Sequence, residues 1–309
     1  MIQAVFGSSG MVGRAIYNSL GGNTYEISRA WGDLRKPEVL YKIFCCLPRL
    51  DVLYLCAARV GGIGKNMAHP GEMFYDNIAI QTNVIEAARR HLAKLIVFMG
   101  SSCIYPKNAL QPIRESALGT GLQEPTNEAY AAAKLAGIKM LEAYHVQYGL
   151  EYLVPMPCNL FGQHDSFELD TCHMIPALIR RFYEARQTNA PSVTLWGTGT
   201  PRRELLHVTD LADAVSILVS KNVRGVVNVG RGYDLTIAQI AELVKDASGY
   251  TGNINFDGNT EKDGNQSKLM AVNPALKDWH PEALESSISK AVRWYHNGQQ
   301  TIRRTESAA

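Results

Sequence analysis

The first twenty residues constrain the fold most. Residues 2–6, IQAVF, form a short apolar run; Gly7-Ser8-Ser9-Gly10-Met11-Val12-Gly13 follows, and a helical pattern then reaches Leu20. A strand that breaks into G-x-x-G-x-x-G and then a helix lets backbone approach a pyrophosphate seated on the helix N-terminus. A glycine triplet alone also fits a plain tight turn. Its place directly after the first strand favours a dinucleotide site, which Gly7, Ser8, Ser9, Gly10, Met11, Val12 and Gly13 would form.

The same alternation continues along the chain. A second strand is expected near Tyr25-Glu26-Ile27-Ser28. An acid at its end would bind the ribose hydroxyls. Arg29 stands there instead, and a cation suits a 2′-phosphate, so NADP(H) is the expected cofactor. Asp33 and Leu34 fit the next turn, where an acid and an apolar side chain can hold adenine. Asp51–Ala58 reads as a strand whose small final residues, Ala57 and Ala58, allow close approach to a cofactor. A glycine-rich loop, Arg59-Val60-Gly61-Gly62-Ile63-Gly64, follows it. Helices are expected over 71–91, 127–148 and 210–220, and strands over 95–99, 151–160, 203–208 and 226–230. This order predicts an α/β fold with a doubly wound parallel (Rossmann) sheet built from residues 1–162 and 204–232. Residues 163–203 and 233–309 would form a smaller, discontinuous C-terminal substrate domain.

Chemistry concentrates between Gly100 and Lys134. The apolar run Leu95–Met99 breaks at Gly100 into a polar turn carrying Ser101, Ser102 and Cys103. Ligands of open α/β sheets collect at the carboxyl ends of strands, where this turn sits. Tyr130 and Lys134 follow, four residues apart and so on one helix face. A free tyrosine has a pKa of ~10. A neighbouring ammonium favours the phenolate and would lower that value. Ser101, Tyr130 and Lys134 therefore read as a proton-handling set for a carbonyl or carbinol. Without the turn and the glycine-rich loop, Y-x-x-x-K would be only a surface pair.

The 31 Lys+Arg and 29 Asp+Glu give a formal net charge of +2, which argues against nucleic acid or a membrane surface as the main partner. No apolar run approaches membrane-spanning length, and the N-terminus shows no secretory pattern. The six cysteines lack C-x-x-C spacing, so no metal site is expected and the thiols read as free, in a reducing, cytoplasmic setting.

Several longer motifs identify a family. They include VGGI at 60–63, GSSCIYPK at 100–107, EPTNEAYAAAK at 124–134, HMIPALIRRF at 173–182 and WGTGTPRRE at 196–204. The chain resembles the GDP-L-fucose synthase family, NADPH-dependent GDP-4-keto-6-deoxy-D-mannose 3,5-epimerase/4-reductases among the extended short-chain dehydrogenases/reductases. The resemblance implies a GDP-4-keto-6-deoxy sugar substrate. It makes Cys103 and His173 the acid–base pair at C3 and C5, and Tyr130 the proton donor to O4 as NADPH delivers hydride to C4. Lys134 would tune Tyr130 and hold the nicotinamide ribose, and Ser101 would bond O4. Asn159 and His173 would flank the cofactor where the substrate half begins. Arg181, Trp196, Arg203 and Lys268 match positions around the GDP-sugar. The chain departs from the family at Ser8-Ser9, where a basic residue is common, at Cys158 in place of Thr, and within EKDGNQSK at 261–268. A related GDP-deoxysugar or GDP-heptose enzyme, a nucleotide-sugar 4-epimerase or 4-ketoreductase, and a non-catalytic NADP-binding regulator are the alternatives. The two long helices, 71–91 and 127–148, could pair with their copies in a homodimer.

Overall fold

The computed structural model describes the chain except residues 170, 261, 262, 264, 265, 308 and 309, and only the backbone from 300 to 307. The N-terminal half contains β1 (Gln3–Phe6), α1 (Met11–Ser19), β2 (Thr24–Ile27), α2 (Pro37–Cys46) and β3 (Val52–Leu55). It continues with α3 (Ile63–Ala68), α4 (Pro70–Arg90), β4 (Leu95–Phe98), α5 (Glu128–Tyr148) and β5 (Glu151–Pro157). Then follow β6 (Asn159–Phe161), α6 (Met174–Gln187), β7 (Ser192–Leu195), β8 (Arg202–Arg203), β9 (Leu205–His207) and α7 (Val208–Ser220). The rest is β10 (Gly225–Val229), β11 (Leu235–Thr236), α8 (Ile237–Ser248), β12 (Asn253–Phe256) and α9 (Leu284–Ser307).

Every residue of β1, β3 and β4 is buried, as expected of parallel strands covered by helices on both faces. These strands belong to a six-stranded parallel sheet of order β10-β5-β4-β3-β1-β2. The chain runs outward from β1 to β2 and then returns to β3 on the other side of β1. Strand order therefore reverses between β1 and β3, and the crevice there is where open α/β sheets bind ligands. Helix ends carry the expected stop and start signals. Pro70 opens α4, and Gly149 closes α5 at φ +68 with its N–H bonded to the His145 carbonyl.

Apolar side chains gather in two clusters. One surrounds the large sheet and includes Phe6, Leu53, Ile96, Val154 and Leu218. The other joins β6, β7, α6, α8 and α9 through Phe161, Phe182, Ile240 and Ile288.

Three sequence expectations change. The strand over 51–58 is paired only over Val52–Leu55, leaving Cys56, Ala57 and Ala58 in the loop. The segment 151–160 is two strands, because β5 stays in the large sheet while β6 leaves it to pair with β9. Residues 203–208 consequently do not return to the large sheet. Leu205–His207 lies beside Asn159–Phe161 in a separate two-stranded sheet.

Candidate active site

The glycine loop after β1 is built by close approach. Gly7 has φ +87, and a Cβ there would lie 2.6 Å from the Ala57 nitrogen. A Cβ on Gly13 would lie 2.1 Å from the Gly7 carbonyl oxygen. Those two glycines are required by the fold itself. Gly10 is not: its Cβ would meet only the Gly7 oxygen at 3.5 Å, and its φ of −82° suits any residue. Gly10 is exposed, no side chain caps the N-terminus of α1, and the first-turn N–H groups lead toward it. A glycine with no internal reason, at an uncapped helix N-terminus, fits a pyrophosphate of a dinucleotide. Met11 and Val12 are half-buried in the first turn of α1, and Ser9 is exposed beside Gly10. Ser8 differs from its neighbours: it is buried, and its hydroxyl has no partner.

At the far end of the crevice, Arg29 is exposed directly after β2. Leu34 packs against the main core. Asp33 is engaged by Arg35, whose Nε lies 3.0 Å from its Oδ1 and which holds the carboxyl below its usual pKa. Arg35 also reaches the buried Asp76 on α4 at 2.6 Å, and Asp76 bonds Arg59 at 2.8 Å. This chain of ion pairs ties the loops after β2 and β3 to α4. The two pairs made by Asp76 span 41 and 17 residues, so no local pattern announces them. Ala57 and Ala58 are half-buried beside Gly7.

The turn after β4 gathers the reactive groups. Ser101 caps a short 3-10 turn over Ser102–Ile104, accepting a bond from the Cys103 N–H at 3.2 Å. The Ser101 side chain lies near enough to the Tyr130 hydroxyl to act on its pKa. Burial pushes the Tyr130 pKa up, the Cys103 thiol adds to that rise, and the Ser101 contact opposes it. The expected lowering by Lys134 does not prevail. Lys134 is buried, and its Nζ donates to the Met99 carbonyl at 2.8 Å and lies 4.4 Å from the Phe98 ring centroid. Burial lowers the Lys134 pKa to about 8, an effect the Cys56 thiol partly offsets.

Arg203 on β8 faces this turn. Burial lowers its guanidinium pKa, and Cys103, Asp263 and Glu124 act in the opposite direction. Its Nη2 donates to the Asp263 carbonyl at 3.1 Å. Asp263 in turn accepts from the Thr198 N–H and hydroxyl at 2.9 and 2.8 Å, fixing the loop that carries Trp196. Trp196 is 61% exposed, and the Arg181 guanidinium sits 5.7 Å from its ring centroid. Glu124 and Asp263 are both buried and both act on Arg203, a relation between distant segments that only the fold makes visible.

His173 is the N-cap residue of α6. The residue is exposed, yet the protein around the imidazole lowers its pKa by desolvation. Asn159 opens β6, with its N–H bonded to the Glu204 carbonyl at 3.2 Å. Lys268 is half-buried between Ser267 and Leu269, whose backbones are clamped by the Gln111 side chain. Glu261, Lys262, Gly264 and Asn265 of the same motif lie outside the described residues. Among the described residues no His, Cys, Asp and Glu side chains group as a metal site, and no helix is long and apolar enough to cross a membrane.

Residues 4–230 match the NAD dependent epimerase/dehydratase family. The chain is similar to the GDP-L-fucose synthase of Escherichia coli (strain K12), 42% identical over 97% of this chain and 99% of that protein. It is 45% identical to putative GDP-L-fucose synthase 2 of Arabidopsis thaliana, over 94% and 90%. Among solved structures it is similar to a GDP-mannoheptose C4 reductase from Campylobacter jejuni with NADP bound. That match has a TM-score of 0.84 and 29% identity, over 95% of this chain and 98% of the other.

Proposed function

Because this chain belongs to the NAD dependent epimerase/dehydratase family and, within it, to the GDP-L-fucose synthases, we propose that it makes GDP-L-fucose from GDP-4-keto-6-deoxy-D-mannose. It would invert C3 and C5 and reduce C4. The observation that carries this reading is one turn, Ser101–Cys103, capped by the Ser101 hydroxyl, whose thiol acts on both the Tyr130 hydroxyl and the Arg203 guanidinium.

The 4-keto group acidifies the protons on C3 and C5. Cys103 as thiolate takes a proton from one face of the sugar, and His173 returns one to the other. Histidine and cysteine, with ordinary pKa values of ~6.5 and ~8.5, both exchange protons near neutrality. Ser101 and Tyr130 bond O4, where charge collects on enolisation. NADPH, when bound, supplies the hydride for C4. Tyr130 then gives its proton to O4, and its raised pKa keeps that phenol protonated until the alkoxide forms. Lys134, charged below about pH 8, favours the tyrosinate left behind and orients the nicotinamide ribose.

The loop Gly7–Gly13 would hold the pyrophosphate, and Asn159 and His173 would flank the nicotinamide. Arg29 would hold the 2′-phosphate, and Asp33, Leu34, Ala57 and Ala58 would border the adenosine. Ser8, being buried, would contribute backbone only. Arg181, Trp196, Arg203 and Lys268 would bind GDP, because guanidinium groups match phosphate oxygens and an exposed indole can stack on a ring. The sheet segments 1–162 and 204–232 would form the cofactor domain, and 163–203 with 233–309 the substrate domain; the two separate apolar clusters support that division. Exposed Phe74 and Tyr75 on α4, beside α5, support pairing of two copies into a homodimer. Free cysteines suit a cytoplasmic enzyme.

The test is isotope exchange. In D₂O without NADPH, wild type should place deuterium at C3 and C5 of the 4-keto sugar, and Cys103→Ser should not. With NADPH, NMR should identify GDP-L-fucose. A 4-reduced product that keeps the manno configuration at C3 and C5 would make the chain a simple 4-reductase.

A further inference from the structure

The loop after β3 carries two adjacent glycines, Gly61 and Gly62. Gly62 has φ −66 and ψ 179, a conformation open to any residue. Its need for glycine is therefore a matter of space. A Cβ on Gly62 would lie 2.4 Å from the Cys172 carbonyl oxygen, 3.2 Å from the Cys172 carbonyl carbon and 3.3 Å from the Thr171 carbonyl oxygen. The contact is drawn tight by a hydrogen bond from the Gly62 N–H to the Thr171 carbonyl at 2.9 Å.

Both sides of the contact are fixed. On one side the buried Asn66 donates through Nδ2 to the Gly61 and Gly62 carbonyls, at 2.8 and 3.0 Å. On the other, the Thr171 and Cys172 N–H groups both bond the Glu168 carbonyl, at 3.0 and 2.8 Å. The Cys172 carbonyl that touches Gly62 is joined by one peptide bond to His173. His173 caps α6, its carbonyl accepting from the Ala177 N–H at 3.1 Å. Whatever moves the Cys172 carbonyl moves the start of α6 and the imidazole with it.

The geometry points to Gly62 as a positioning residue for His173. This rests on the reading of His173 as the acid that completes inversion. Gly62 touches neither substrate nor the reacting atoms; it sets where the imidazole stands. An alanine methyl would have to gain about 1 Å to reach an ordinary van der Waals contact of 3.4 Å with the Cys172 oxygen. Misplacing a reacting group by about 1 Å can cost about 10²-fold.

In Gly62→Ala and His173→Gln, exchange through Cys103 alone should continue, since the thiol can return a solvent deuteron to the face it deprotonated, while the uptake that accompanies inversion falls. Each should lower the rate at which inverted sugar forms by about 10²-fold. In Gly62→Ala the pH profile for inversion should also move, because the surroundings of the imidazole change with its position. Adding Gly62→Ala to His173→Gln should cost nothing further. If Gly62→Ala folds poorly, Asn66→Ser releases the same loop and should show the same selective loss with a smaller amplitude. An additional loss in the double variant, or wild-type inversion by Gly62→Ala or Asn66→Ser, would overturn the positioning role while leaving His173 as the acid. Wild-type inversion by His173→Gln would remove the acid assignment and the inference with it.

Discussion

Lys134 should make the folded protein less stable at neutral pH, and replacing it with methionine should show by how much. Its ammonium is 2% exposed, and burial lowers its pKa from 10.5 to about 8. At ~1.4 kcal/mol per pKa unit, holding the charge inside costs about 3 kcal/mol. Lys134→Met removes that cost and keeps the side-chain volume. It also leaves the Met99 carbonyl without the Nζ donor at 2.8 Å, a loss of about 1 kcal/mol. The variant should therefore gain about 2 kcal/mol below pH 8, or roughly 3–6 °C in melting temperature.

The pH dependence fixes the sign. Below about pH 8 the lysine is protonated in both folded and unfolded chains, and the full cost applies. Between about 8 and 10.5 the folded protein has released the proton and the unfolded chain still binds it, so wild-type stability rises with pH. The advantage of Lys134→Met should shrink through that window and reverse by about 1 kcal/mol above it, where only the lost hydrogen bond remains. Thermal melts of both proteins at pH 7 and pH 10, without NADPH, would read the difference directly. Reduction of the 4-keto sugar should collapse in the variant at every pH. A Lys134→Met protein that melts below wild type at pH 7, or a stability gap that does not change with pH, would refute the assignment of a buried charge to this position.

Two further outcomes are expected of single substitutions. Tyr130→Phe should lower NADPH oxidation by about 10²–10⁴-fold while deuterium exchange at C3 and C5 continues, since only the donor to O4 is lost; near-normal oxidation would assign that proton to another group. Arg29→Ala should weaken NADPH by roughly 10–100-fold through loss of a charged hydrogen bond to the 2′-phosphate, with little change for NADH; equal weakening of both in binding titrations would place Arg29 away from that phosphate.

The large sheet was legible because its central strands β1, β3 and β4 are short, buried and largely apolar. Helix limits fell within a residue or two, as with α4 at Pro70–Arg90 against an expected 71–91. The division of 151–160 was not legible. Pro155 and Pro157 usually argue against an interior strand, because neither can donate to a ladder. β5 tolerates them because its pairing with β4 ends at Leu153, while pairing with β10 continues to Pro157. Past Leu153 the contact on the β4 side runs through the Gly100 N–H, which donates to the Pro155 carbonyl at 2.9 Å and needs no donor from the prolines. Cys158 then turns the chain out toward β9, where a three-residue pairing carries too little periodicity to be read from sequence.

For the site, residue types and motif spacing indicated which side chains would meet, and the fold decided what state they would be in. Y-x-x-x-K suggested an ammonium that lowers a phenol. Folding instead buries both groups, commits the Lys134 Nζ to the Met99 carbonyl, and raises the tyrosine. Desolvation acts on each group by how many protein atoms surround it, and around Lys134 these include Phe98, Met99 and Cys56, 35 or more residues away in sequence. The sign of the tyrosine shift then bears on direction of reaction. A phenol held protonated is a donor to a ketone oxygen, whereas an alcohol dehydrogenase working at the same pH needs the phenolate as acceptor. Desolvation that outweighs the Ser101 contact thus biases this Ser–Tyr–Lys set toward reduction, with Lys134 favouring the tyrosinate once the proton has gone.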